Sequence, residues 1–92
     1  MKYLAIDGRL LENKTIGSTD KLIIAFISNL EKGGKAFYGT HIYMSEVLGI
    51  RYEYFEKRFT KLLQVGVLYA SDDGIRLKYG LDATADMEWK LA

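Results

Sequence analysis

Residues 39–68 read GTHIYMSEVLGIRYEYFEKRFTKLLQVGVL. Their spacing divides them into two short helices, a sharp corner between the two, and a strand behind the second. Thr40 is placed to N-cap the first helix, predicted over His41–Leu48, where Met44, Val47 and Leu48 recur at i, i+3 and i+4 as one buried stripe. Gly49 breaks that helix, because glycine accepts the positive φ of a tight corner, and Ile50 behind it can plug the angle. The second helix is predicted from Arg51 or Tyr52 to Gln64. Phe55, Phe59, Leu62 and Leu63 share one face, with Tyr52 close to the same side. Glu53, Lys57, Thr60, Lys61 and Gln64 fall on the opposite face, with Tyr54 at one margin and Arg58 near the other. Val65-Gly66 closes the helix.

Downstream, Val67–Ser71 and Ile75–Tyr79 flank Asp72-Asp73-Gly74, and Asp-Gly between alternating apolar runs is a strong hairpin signal. With Asp73-Gly74 as the central turn residues, Ala70 faces Leu77, Ser71 faces Arg76 and Tyr69 faces Lys78. Upstream, Gly17-Ser18-Thr19-Asp20 supplies a helix start, with Ser18 or Thr19 as N-cap. The helix predicted from Asp20 to Lys32 carries a wide apolar arc through Ile23, Phe26, Ile27 and Leu30, flanked by Leu22 and Ile24, so it is central. Gly33-Gly34 ends it. Lys2–Asp7 reads as a short strand followed by a turn at Asp7-Gly8, with Leu10 and Leu11 tucked under the core.

The tail alternates with period two. Ile75, Leu77, Tyr79, Leu81, Ala83, Ala85, Met87, Trp89 and Leu91 occupy one parity and mostly polar residues the other. An extended C-terminal arm over residues 80–92 is the expectation, pairing with Lys2–Asp7 or with another subunit. Propensity leaves a helix capped by Asp82 open. Met87 and Trp89 then form either a homodimer surface or part of the monomer's own core.

With 92 residues the chain has the length of one domain, expected over 1–92 with a core at 19–79. Nearly half its residues are apolar and no tract is of low complexity, which excludes a disordered chain. It has no cysteine, so neither a disulfide framework nor a thiolate metal site is available, and it has no proline. No leader-like segment begins it and no apolar run nears the roughly 18 residues needed to span a bilayer, so a cytoplasmic location without membrane contact is expected. The net charge of +1 is uninformative, but its distribution is not. Residues 1–31 hold four basic and four acidic side chains, residues 32–61 six and three, and residues 62–92 three and five. The positive excess falls on the paired helices.

This central block resembles the winged helix-turn-helix domains of plasmid and phage replication initiators, their primosomal relatives and small regulators of mobile elements. Phe37, Thr40, Tyr43, Met44, Val47, Leu48, Gly49 and Ile50, then Phe55, Phe59, Leu62, Leu63, Gly66 and Leu68, carry the likeness without a gap. It covers residues 22–79. Such domains usually open the recognition helix with Ser-x-x-Thr, where this chain has Arg51-Tyr52-Glu53-Tyr54, and Ser45 stands where Ala is typical. The resemblance implies an α+β fold of three helices and a small antiparallel sheet, to which the alternation of the tail adds the C-terminal arm. It also implies double-stranded DNA binding in transcription regulation or DNA replication control.

For such a role a helix must present side chains to the major groove, with cations around it for phosphates. Arg51, Tyr52, Glu53, Tyr54 and Lys57 occupy the reading positions. Arg51 can bond a guanine edge and Glu53 can accept from cytosine N4, each contact worth about 1–3 kcal/mol of discrimination. Arg58, Lys61, Arg76 and Lys78 are the expected phosphate contacts. Against base contact, Glu53 and Lys57 at i and i+4 can form a plain surface pair; the competing expectation for the whole domain is a protein–protein module using Tyr43, Tyr52, Tyr54 and the tail. His41 is the only histidine and lacks partners at ligand spacing. No nucleophile–base set and no G-x-x-x-x-G-K-[ST] loop exists, so neither catalysis, a cofactor nor a small-molecule ligand is expected.

Overall fold

A computed structural model describes residues 4–91. Five helices and one two-stranded antiparallel sheet follow in the order α1 (Gly8–Glu12), α2 (Ser18–Lys32), α3 (His41–Leu48), α4 (Tyr52–Val65), β1 (Leu68–Ser71), β2 (Gly74–Leu77) and α5 (Gly80–Asp86). The architecture is α+β. Two helices exceed the expected three: α1 and α5, of five and seven residues, are too short to display a 3.6 period.

Helix α2 is the centre of the core. Ile23, Ile24, Ala25, Phe26 and Ile27 are buried in succession, so the helix is covered almost all round, by α4 on one side and β2 on another. Phe55, Phe59 and Leu62 of α4, Met44 of α3, Val67, Leu68 and Leu77 of the hairpin, and Leu10 and Ile16 upstream complete one contiguous cluster. Leu10 is buried as expected, whereas Leu11 points to solvent. The strand expected over Lys2–Asp7 is not formed at residues 4–7, and its first residues lie outside the described part of the chain. In place of the turn expected at Asp7-Gly8 the chain enters α1, which Asp7 caps, its carboxylate accepting from the Arg9 amide at 2.9 Å.

The hairpin forms where Asp72-Asp73-Gly74 directs it, but in another register. Leu68 faces Leu77, Tyr69 faces Arg76, Ala70 faces Ile75 and Ser71 faces Gly74, so Asp72 and Asp73 are the central residues. The slip of two residues preserves which face is apolar. Its cause is Gly74, whose φ of 135° is used beside the turn, where the segment after α2 runs alongside. Phe37 and Ile75 exchange backbone bonds of 3.1 and 2.7 Å, a one-residue antiparallel bridge that flanks β2 on the side away from β1.

Arg76 and Ser71 hydrogen-bond the Asp73 carboxylate and hold it well below the usual carboxylate range. A depressed folded value means that the stabilisation is present above the unfolded value near 3.8 and is lost as pH falls through the folded value. Acidification below pH ~4 is therefore expected to loosen the turn, and Asp73→Asn to remove that dependence. Amide shifts of Ser71 and Ile75 followed by NMR across the titration check it.

The tail corrects the extended arm. Residues 80–86 are helical, because Ala, Asp and Leu outweigh the period-two pattern, and Thr84 bonds back to the Gly80 carbonyl. Arg9 ties α5 to α1 through Asp82 (2.5 Å) and Asp86 (3.4 Å). Residues 87–91 then run without regular structure along the domain. The Trp89 indole donates to the Thr84 carbonyl and its amide to the Thr15 hydroxyl, both at 3.0 Å, and Leu91 is buried. Trp89 is thus engaged within its own chain, and the dimer surface expected of Met87 and Trp89 is reduced to an exposed Met87.

Candidate nucleic-acid interface

The pair α3–α4 is built as a rigid corner. Thr40 caps α3 by accepting from the Tyr43 amide at 3.0 Å, and Gly49 ends the helix in the left-handed region (φ 68°, ψ 30°). The Ile50 amide returns to the Ser45 carbonyl at 2.9 Å, and Ile50 itself packs on the core. Ser45 is buried with its hydroxyl donating to the Ile42 carbonyl, so this polar group is satisfied within its own helix. His41 braces the corner. Its Nδ1 is hydrogen-bonded to the Glu56 carboxylate of α4, and its ring lies 4.6 Å from that of Phe59 and 5.9 Å from that of Phe55.

Helix α4 follows Arg51, whose side chain makes no capping hydrogen bond, and ends at Gly66 in the left-handed conformation. Its outer face carries Glu53, Lys57, Thr60 and Gln64, all exposed, with Lys61 half-buried at the edge. Arg51, Tyr52 and Tyr54 are exposed around the first turn, so Tyr52 is not a core residue. Among the described residues Glu53 and Lys57 make no ion pair with one another.

Two of the expected phosphate contacts are already committed within the fold. Arg58 turns inward to a bidentate pair with Asp20 of α2, at 2.9 and 2.8 Å, and donates a third bond to the Leu91 carbonyl. Its side chain is 14% exposed and that of Asp20 3%. This guanidinium joins α2, α4 and the tail, and the Asp20 hydrogen bonds raise its affinity for its proton further. It is a structural residue because the solvated margin it was assigned from periodicity faces Asp20. Arg76 is held by Asp73 through bonds of 3.1 and 2.6 Å, which offsets its charge beside the turn.

Lys78 lies beyond the end of β2. Its ammonium sits 5.5 Å from the Tyr79 ring centre and close to Gly66, so it stands at the C-terminal end of α4 rather than on a strand. Arg51, Lys57, Lys61 and Lys78 therefore remain without a carboxylate partner among the described residues, spread from one end of α4 to the other. Sequence reading named all four. It missed Asp20, which looks like a residue serving the α2 dipole and carries no local signal of a partner on α4.

Among the described residues no three His, Cys, Asp or Glu side chains are grouped to hold a metal. No described helix is long and apolar enough to cross a membrane. No family model, curated protein or solved structure matches the chain.

Proposed function

We propose that the chain is a winged helix-turn-helix module that binds double-stranded DNA through α4, in transcription regulation or in replication control of a plasmid, phage or integrative element. The observation that carries this reading is the outer face of α4. A helix braced from behind by α2 and α3 offers Glu53, Lys57, Thr60 and Gln64 to solvent, with Arg51 at its start, Lys57 and Lys61 along it and Lys78 at its far end, all without a carboxylate partner among the described residues. That is the requirement for major-groove entry: a rigid helix, polar groups for base edges and ammonium groups for phosphates. The β1–β2 hairpin follows α4 directly, where a wing belongs, and the Phe37 bridge supplies the third strand position of such a sheet.

Base reading falls to Arg51, Tyr52, Glu53, Tyr54 and Lys57, and phosphate contact to Lys61 and Lys78; Arg58 is left out of the interface and Arg76 contributes little net charge. Fluorescence polarisation with a mixed-sequence duplex at low salt tests this. Replacing Lys57 and Lys61 by Ala together is expected to weaken binding about 10–100-fold with the melting temperature unchanged. Equal affinity of the double variant and the parent would overturn the assignment.

A second reading rests on a separate observation: Tyr43, Tyr52 and Tyr54 are all solvent-exposed, as a protein-binding surface would require. Absence of duplex binding at low salt would favour it.

A further inference from the structure

One face of the corner is neither buried nor part of the proposed DNA surface. On α3, Met44, Ser45 and Leu48 point inward, so Ile42, Tyr43, Glu46 and Val47 share the outward side. Ile42 is 56% exposed, Tyr43 53% and Val47 37%, and Tyr38 just before the helix is 85% exposed. Together they present on the order of 400 Å² of largely apolar side chain, comparable to the largest patch a monomer ordinarily shows.

We infer that this face is where two copies of the chain associate. Its charges are self-complementary. Lys35 lines the same shallow depression as Tyr38 and Tyr43 at the N-terminal end of α3, while Glu46 lies in the last turn between Ile42 and Val47. Neither has an ion-pair partner among the described residues. A two-fold axis that lays α3 antiparallel on its copy brings the Lys35 end of each protomer to the Glu46 end of the other, with the apolar side chains between. An isologous contact requires this of a single patch: that it complement itself. A foreign partner has no need of it. The apolar area is about half of what one side of a standard interface buries, so the association is weak and concentration-dependent. Because the face is on α3 and the DNA residues are on α4, the inference does not rest on the DNA reading.

Sedimentation equilibrium without DNA, from about 5 to 500 μM, tests it across the range expected of a micromolar dimer. The parent chain is expected to pass from monomer to dimer. Ile42→Glu, at an exposed position that leaves the circular-dichroism spectrum unchanged, is expected to weaken dimerisation at least about tenfold. Lys35→Glu and Glu46→Lys, each placing like charges opposite one another, weaken it separately; combined in one chain they restore it. A parent that stays monomeric throughout, a dimer indifferent to Ile42→Glu, or a double charge reversal no better than either single one would overturn the proposal. The first outcome would leave the face to a different partner.

Discussion

Gly74→Ala is expected to lower the melting temperature by about 15–30 °C, the counterpart of about 3–5 kcal/mol in a domain of this size. Two costs combine. The backbone at Gly74 has φ 135°, outside what an L-side chain adopts without strain, and that strain is worth about 1–3 kcal/mol. A Cβ there also meets the Phe37 carbonyl, within 2.8 Å of its carbon and closer still to its oxygen, with the Ala36 methyl 3.1 Å away. Those atoms belong to the Phe37–Ile75 bridge and the buried Ala36, so they cannot yield as the tip of a flexible side chain would. Overpacking of this kind costs a further 1–3 kcal/mol or so. Gly34→Ala is the control: it too has positive φ, but a Cβ there meets nothing within 4 Å. Thermal melts of both variants separate steric collision from backbone strain. Equal losses would mean that the close approach of the Phe37 carbonyl contributes nothing.

Arg58→Ala is expected to cost about 3–5 kcal/mol, because it strands the Asp20 carboxylate in the core and removes the donor to the Leu91 carbonyl. Of the cations on α4, only this one should unfold the domain when truncated. Lys57→Ala and Lys61→Ala are expected to leave stability within about 0.5 kcal/mol. Replacing both partners, as Asp20→Leu with Arg58→Met, is expected to recover most of the loss, since apolar groups of similar volume avoid the desolvation that the ion pair must overcome. Urea unfolding of the parent, Asp20→Leu, Arg58→Met and the double variant closes the cycle that gives the coupling. An Arg58→Ala chain as stable as the parent but deficient in duplex binding would reverse the assignment and return Arg58 to the phosphate contacts.

These two sites also mark where sequence reading runs out. The limits of α3 and α4 are legible because the signals are local: Thr40 caps, and Gly49 and Gly66 take the left-handed turns that end each helix. The outer face of α4 follows from periodicity alone, since Phe55, Phe59 and Leu62 must point inward. The inward turn of Arg58 is not legible in the sequence, because its environment is made by Asp20, 38 residues earlier, and by Leu91, 33 residues later. The hairpin was located by Asp72-Asp73-Gly74, but its register depends on Phe37, a residue that looks like part of a connection. In the tail, period-two alternation competed with helix propensity. Propensity prevailed over residues 80–86, while beyond them the odd positions Trp89 and Leu91 do face the core.

The proposed contact with duplex DNA runs along α4, against Arg51, Lys57, Lys61 and Lys78. Its most direct test is the salt dependence of binding to a mixed-sequence duplex, measured by fluorescence polarisation from low to physiological ionic strength. The two phosphate contacts, Lys61 and Lys78, predict a slope of log K against log salt of about −2, since each releases about 0.9 of a counterion. No measurable binding at the lowest salt, or a slope near zero, would contradict it.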